Sequence, residues 1–364
     1  MAVALAPFWL AHGPAREGRA WIERFLQHVP AVDDPPLVAS AEGWAIRLEI
    51  GHGVGDAVLT QPDLVTRLAT AHDVVAASDD DWTALCLADH LATVLRLRGD
   101  FDDMERVHAE ALARVTSPEL DWWRVEILLR QASTFERNDP QRAADLFAEA
   151  LAVAARVGHE QHVVQLRVDV LRGDIDGARR HAGEIYTRRM DVGDRRRAAI
   201  AAGAASALAA AAGDLDDCAR WARTCLDLGR SVGYLHGVVW GMMGFTFVAL
   251  GTGRPDEVAR IHGAVTPYLA ATRTMARDAF LAVYDRTIAA AEAALGPGLF
   301  AEQVAIGARQ PWQEAVDAAR AAALEPERGR APSRARGPRA NPGLTDRERE
   351  VLLELARSRT GTRM

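Results

Sequence analysis

Lysine is missing from this 364-residue chain, so arginine supplies all 43 of its basic side chains. The absence excludes a Walker phosphate loop, because that loop needs a lysine to bind the β- and γ-phosphates of a nucleotide. It also excludes any mechanism that begins with a Schiff base on a lysine amine. The abundance of alanine and arginine is typical of GC-rich coding.

Cysteine is scarce as well. Cys86, Cys218 and Cys225 are too few and too widely spaced for a disulfide framework or a CxxC metal site, which predicts a reducing, cytoplasmic location. Cys218 and Cys225 lie seven residues apart, so we expect them on one helix face, packed in a core and not acting as a redox pair. The N-terminus has no basic segment and Pro7 interrupts its apolar run, which does not indicate a signal peptide.

Patterns of alternating apolar and polar residues, as strands require, are also scarce. Hydrophobic residues make up 49% of the chain and charged residues 26%, which is enough apolar material for a buried core. Because alanine favours helix and β-branched runs are few, we predict an all-α protein without strands.

One uncharged stretch, residues 232–250, could be mistaken for a membrane span. It contains four glycines spaced like a small-residue packing face: Gly233, Gly237, Gly241 and Gly244. The stretch is barely long enough to span a bilayer, and Tyr234 and His236 interrupt it. We therefore predict a buried inner helix and no membrane association.

The formal charge of −7 is unevenly distributed. Residues 326–364 carry ten arginines and five acids, a net charge of +5 that leaves −12 for residues 1–325. An acidic body is not expected to lie on DNA, because attraction to phosphates supplies most non-specific binding.

A Gly-Asp pair recurs at Gly99-Asp100, Gly173-Asp174 and Gly213-Asp214, with looser copies near Asp139 and Gly253, in steps of 35 to 40 residues. Glycine can adopt the left-handed conformation that ends one helix, and the aspartate can cap the next. The second helices carry small and apolar residues every three or four positions. This pattern resembles tetratricopeptide repeats, which implies a superhelix of antiparallel helix pairs over residues 1–325.

Two apparent motifs do not indicate a site. His159-Glu160-x-His162 has the wrong spacing for a zinc-binding HExxH helix, so a solvated helix end is predicted. Glycines alternate from Gly51 to Gly55, but no strand precedes them, and we expect a loop. We therefore assign no catalytic, cofactor-binding or metal-binding residue, and we do not expect an enzyme.

Three further segments carry a recognisable order of residues. The first holds Phe8, Trp9, Gly13, Glu17, Gly18, Arg19, Trp21 and Leu26. The second holds Ala294, Leu295, Gly296, Phe300, Gly307, Glu314, Ala315 and Val316. The third holds Leu344, Thr345, Asp346, Arg347, Glu348, Arg349, Glu350, Val351, Leu352, Leu355 and Ala356. Together they resemble the C-terminal half of large ATP-binding LuxR-family transcriptional regulators. Phe8, Trp9 and Trp21 are also expected to pack the first two helices together.

The third segment resembles the first helix of the LuxR-type helix-turn-helix domain. Thr345 and Glu348 form a capping box, and Val351, Leu352 and Leu355 make the apolar face of the helix. After these residues the chain does not continue into a second helix and a recognition helix, so we expect residues 343–364 to be a truncated domain with impaired DNA binding. The preceding residues 326–342, rich in proline, glycine and arginine, are predicted to form a flexible linker.

The resemblance implies a fragment of a LuxR-family regulator that keeps the helical-repeat region for sensing or protein interaction. Because these residues include no Walker motif, we expect the family's ATPase module to be absent and expect no cofactor. Two alternatives stay open: a free-standing module that binds a protein partner or a small-molecule effector in the groove of the repeats, and the product of a decayed gene.

Overall fold

The computed structural model describes residues 2–322 apart from 30–33, 52–60, 62, 137–138, 159–160 and 272–278. The predicted linker and helix-turn-helix segment lie outside these residues, including Leu344, Thr345, Arg347, Glu348, Arg349, Val351, Leu352 and Leu355. So do the predicted loop after Gly51 and the pair His159-Glu160.

The described part of the chain is helical and contains no strand, as the sequence predicts. A short 3₁₀ turn, Pro118–Leu120, precedes α7. The α-helices are α1 Ala2–His12, α2 Ala15–His28, α3 Pro35–Gly51, α4 Leu64–Ala76, α5 Asp81–Arg98, α6 Phe101–Arg114, α7 Asp121–Phe135, α8 Pro140–Val157, α9 Gln161–Arg172, α10 Ile175–Asp191, α11 Arg195–Ala211, α12 Leu215–Ser231, α13 Leu235–Gly251, α14 Pro255–Ala271, α15 Ala279–Leu295, α16 Pro297–Arg309 and α17 Trp312–Ala322.

Consecutive helices pack against each other, and the two members of a pair differ in their patterns of burial. Helices α5, α11 and α13 are apolar around most of their circumference and are buried along their length. Helices α6, α8 and α12 bury one stripe of small and apolar residues, as the sequence pattern predicts. The fold is therefore a superhelix of helix pairs, with one helix of each pair inside.

Glycines end the central helices at a regular interval. Gly173, Gly193, Gly213, Gly233 and Gly253 follow one another at steps of twenty residues, and each has a positive φ. A helix pair therefore repeats every forty residues in this part of the chain, as predicted. Because a side chain disfavours the left-handed conformation, glycine is the residue that can make each of these turns at low cost.

Aspartates cap the helices that follow most of these turns. The carboxylates of Asp174 and Asp214 accept hydrogen bonds from backbone N–H groups three residues later, at 2.9 Å and 3.1 Å. The same prediction is wrong for Asp100, whose side chain does not cap α6. Its carboxylate lies 3.5 Å from Nε of Arg98 and forms an ion pair there instead.

The superhelix closes on itself, because α1 contacts α11. The turn after α1 comes so near the C-terminal end of α12 that a Cβ on Gly13 would lie 3.2 Å from Cα of Val232. Trp9 packs closely over Gly18 as expected, but the same expectation is wrong for Phe8 and Trp21, which are half exposed. The helices from α1 to α11 therefore form one turn of the superhelix around a central cavity.

Helix α13 is the buried inner helix predicted for residues 232–250. Gly237, Gly241 and Gly244 pack against neighbouring helices, whereas Gly233 lies in the left-handed turn before the helix. No helix among the described residues is both long and apolar enough to cross a membrane.

The cysteines are free and buried, as the core-packing prediction requires. The thiols of Cys218 and Cys225 donate to backbone oxygens of α13, and burial raises their pKa values to about 11 and about 12. They are therefore protonated packing groups.

Alanine substitution is expected to have opposite effects on stability at Gly241, where α13 packs closely against α12, and at Gly183 on α10. A Cβ on Gly241 would lie 2.6 Å from Cβ of Leu226 and 2.8 Å from the backbone oxygen of Ala222. We expect Gly241→Ala to lower the free energy of unfolding by about 1–2 kcal/mol through overpacking. Among the described residues, no atom beyond the backbone of its own helix turn and its two chain neighbours lies within 4 Å of a Cβ built on Gly183, so Gly183→Ala should raise stability by about 0.5–1 kcal/mol through helix propensity. Denaturant unfolding followed by circular dichroism measures both, and equal shifts would contradict the packing at Gly241.

Candidate functional site

The inner helices line a partly open cavity of about 490 Å³. It lies among α1, α3, α5, α7, α11, α13 and α14, and a second cavity of about 300 Å³ adjoins it between α7, α9, α10 and α11. The two share Arg96, Glu126, Arg130, Arg197 and Ile200 in their walls. A space of this size can hold a small organic molecule.

The wall of the larger cavity is positively charged, although the chain as a whole is acidic. Five arginines line it: Arg47, Arg96, Arg130, Arg196 and Arg197. Three acids line it: Asp89, Glu126 and Asp194. The adjoining cavity adds Arg167 and Arg189. Arginines therefore outnumber acids in this interior, which would favour an anion over a cation.

Arg130 is held by two carboxylates. Its Nε donates to Oδ1 of Asp89, and its Nη1 donates to Oε2 of Glu126 at 3.0 Å. Burial alone would raise the pKa of Asp89, but the charges of Arg130 and Arg47 lower it. This network ties α5 to α7 and keeps Arg130 charged within the wall.

Arg47 and Arg196 are the unusual cations of this wall. Nε of each is buried without a hydrogen-bond partner among the described residues. Burial lowers the pKa of Arg47 to about 9, and repulsion from Arg196 contributes to the shift. The Arg196 guanidinium also lies 4.7 Å from the ring centroid of Tyr234. Arg47 is buried and Arg196 is partly exposed, and a bound anion would stabilise two such mutually repelling cations whose Nε donors are unsatisfied.

Aromatic rings supply the apolar part of the wall. Trp82 stacks on Trp122 at a centroid distance of 5.6 Å, and Trp123 meets both rings edge to face. Trp82 is half exposed, so the cluster reaches from solvent to the buried Trp123. A third edge contact joins Trp44 to His90 at 4.6 Å. These rings could stack on a flat apolar group of a ligand.

The histidines of the cavity are neutral. Burial lowers the pKa of His90 to about 3, and the charge of Arg47 adds to the shift. Burial likewise lowers the pKa of His236 to about 3, and Nδ1 of His236 is hydrogen-bonded to the Tyr268 hydroxyl at 2.7 Å. The positive charge of the wall therefore comes from arginine alone.

The sequence predicted a groove for an effector but did not identify the residues that line it. The one sequence feature that could have indicated Arg47 is its position among apolar residues: it follows Trp44, Ala45 and Ile46 and precedes Leu48. Arginines from several helices meet only after the superhelix closes, which periodicity in one helix does not reveal. The site residues that were predicted, in the helix-turn-helix segment, lie outside the described chain.

A scan of the chain against protein-family models finds no match, and a search of the curated proteins finds no significant match.

The unpaired Nε of Arg47 and the two ion pairs of Arg130 predict that substitutions of these two arginines change stability in opposite directions. Arg47→Met should raise the melting temperature of the ligand-free protein, because it replaces a buried, repelled cation with an apolar chain of similar length. Arg130→Met should destabilise the fold by about 3 kcal/mol or more, because Asp89 and Glu126 would stay buried without their cation. Differential scanning calorimetry at neutral pH measures both. A destabilisation by Arg47→Met as large as that by Arg130→Met would contradict the unsatisfied state of Arg47.

Proposed function

We propose that the helical repeats form an effector-binding domain whose inner cavity takes an organic anion with a flat apolar group. The observation that carries the proposal is the pair Arg47 and Arg196 in the wall of a cavity of about 490 Å³, each with a buried Nε that has no hydrogen-bond partner among the described residues. An anionic group on the ligand accepts from these arginines, while its apolar part lies against Trp82, Trp122 and Trp123.

A role in binding, not in catalysis, accords with the chemistry of the wall. The charged groups that are already paired, such as Arg130 with Asp89 and Glu126, are static structural contacts. The thiol of Cys86 is held protonated, since burial raises its pKa far above the usual range. Arginine and indole side chains recognise ligands through shape and charge and are poor proton-transfer groups.

We further propose that this domain is the effector-sensing region of a LuxR-type transcriptional regulator. The support is the order of residues in the segments 8–26, 294–316 and 343–356. An effector in the cavity would touch α3 and α5 on one side and α11 and α13 on the other, so it would stabilise the closed turn of the superhelix. A free-standing module would bind the same effector without this regulatory context.

Anilinonaphthalene sulfonate, a fluorescent aromatic anion, tests the cavity directly. We expect saturable binding with one site per chain, and about 10- to 100-fold weaker binding to Arg47→Met, since a charge-assisted hydrogen bond contributes ~1.5–3 kcal/mol. Phenylnaphthylamine, which lacks the sulfonate, should bind the native protein weakly and should not distinguish the variant. Fluorescence titration measures each affinity.

The matched control is Arg106→Met on the outer surface of α6, where Arg106 is well exposed and pairs with Asp103 and Glu110. This variant should bind the sulfonate as the native protein does. Cooperative thermal unfolding of every variant excludes dye binding to a loosened core. Equal affinity of native and Arg47→Met protein would overturn the anion site.

The regulatory context has a separate test in the coding DNA that flanks this sequence. Family members place an ATP-binding module before the repeats and a complete helix-turn-helix after them. We expect translation of the flanking DNA in all frames to reveal a Walker motif upstream and a recognition helix downstream. Flanking frames without either element would favour a free-standing binding module.

A further inference from the structure

A second polar cluster lies on the helix pair α9–α10 and does not line either inner cavity. His162 comes from the first turn of α9, while His181 and Glu184 come from consecutive turns of α10. One ligand atom from each of the three residues lies within 4.8 Å of the others. These side chains belong to different helices, so the short turn at Gly173 and Asp174 brings them together.

The three side chains already contact one another or a buried carboxylate. His162 Nδ1 lies 2.8 Å from Oε2 of Glu184. His181 Nδ1 is hydrogen-bonded to Oδ2 of Asp169 at 2.8 Å, which leaves Nε2 of His181 to face a ligand. The two imidazole rings are 5.8 Å apart between centroids.

The Asp169 carboxylate accepts a hydrogen bond from the His181 imidazole, an arrangement that is common where a carboxylate orients a metal-binding histidine. It is buried, with 5% of its surface exposed, and its other oxygen accepts from Nε2 of Gln165 at 2.8 Å. A Cβ at Gly177, one turn before His181, would lie 2.9 Å from Oδ2 of Asp169, so the glycine gives the carboxylate room. Such a carboxylate fixes the tautomer and orientation of the imidazole and makes it a stronger ligand.

We propose that His162, His181 and Glu184 bind a zinc ion, with Asp169 as the positioning residue behind His181. Two imidazoles and one carboxylate are a donor set that zinc favours, and water would complete the coordination. Ligand atoms around a tetrahedral zinc ion lie ~3.3 Å apart, given bonds of ~2.0–2.1 Å. Only small side-chain movements separate the observed cluster from that arrangement.

The surroundings of the cluster suit an ion that enters from solvent. The side chains of His162 and His181 are 28% and 21% exposed, and that of Glu184 is half exposed.

The consequence of binding would be a clamp across one helix pair. Zinc would join α9 to α10 beside the positions that line the smaller inner cavity, among them Leu166 and Arg189. The ion would stiffen this part of the wall without touching the anion site at Arg47. The zinc proposal therefore stands apart from the proposed effector binding.

The test uses the untagged full chain after removal of metals with a chelator. We expect calorimetric titration with zinc to show one site per chain and a rise in melting temperature as zinc is added. Cobalt(II), used as a probe, should give the visible absorption bands of a tetrahedral or five-coordinate ion with nitrogen and oxygen ligands. The buried cysteines should not contribute a sulfur-to-metal charge-transfer band.

Variants assign the site. Glu184→Gln and His181→Ala should each weaken zinc binding at least tenfold, and Asp169→Asn should weaken it about 10- to 100-fold while keeping the cobalt spectrum of the same ligands. His28→Ala on α2, an exposed histidine far along the chain, is the control and should bind as the native protein does. Because Glu184 is half exposed, Glu184→Gln should fold normally, which the helical circular dichroism signal checks. No zinc binding by the native chain, or binding that survives both Glu184→Gln and His181→Ala, would overturn the proposal.

Discussion

The left-handed glycine at the end of each central helix is the constraint on which the rest of this structure depends. Glycines at steps of twenty residues make helices of equal length and reverse the chain at the same place in each repeat. Equal helices stack in register, so each apolar inner helix packs against its neighbours along the array. The stack curves until α1 meets α11, and its curved inner face lines a cavity that stays partly open to solvent.

The curvature of the superhelix removes solvent from side chains that face inward. An arginine on the concave face of an open array would be solvated, whereas Arg47 is buried and its Nε lacks a hydrogen-bond partner among the described residues. A buried donor without a hydrogen-bond partner destabilises a fold, and the anionic ligand proposed above would satisfy it. Arg130 shows the alternative, in which two acids from the protein itself satisfy the guanidinium.

The local features of the chain could be predicted because each depends on neighbouring residues. Gly213 ends a helix and Asp214 caps the next, and both effects act within a few residues. The prediction was wrong for Asp100, whose carboxylate pairs with Arg98 and does not cap its helix. It was also wrong for Phe8 and Trp21, because the apolar character of a ring does not specify which helix face the fold covers. The resemblance to LuxR-type regulators stays a prediction.

The sequence by itself determined the helices, their turns, the forty-residue repeat and the burial of α13, because these follow from backbone preferences and the spacing of apolar residues. Only the tertiary structure decided which charged side chains meet. Arg47 and Arg196 are far apart along the chain, and His162 gains its partners from the next helix, outside the motif in which it first appeared. Such contacts depend on how the helices stack and on the contact between the two ends of the superhelical turn. Short-range residue patterns specify neither, because both involve residues far apart along the chain.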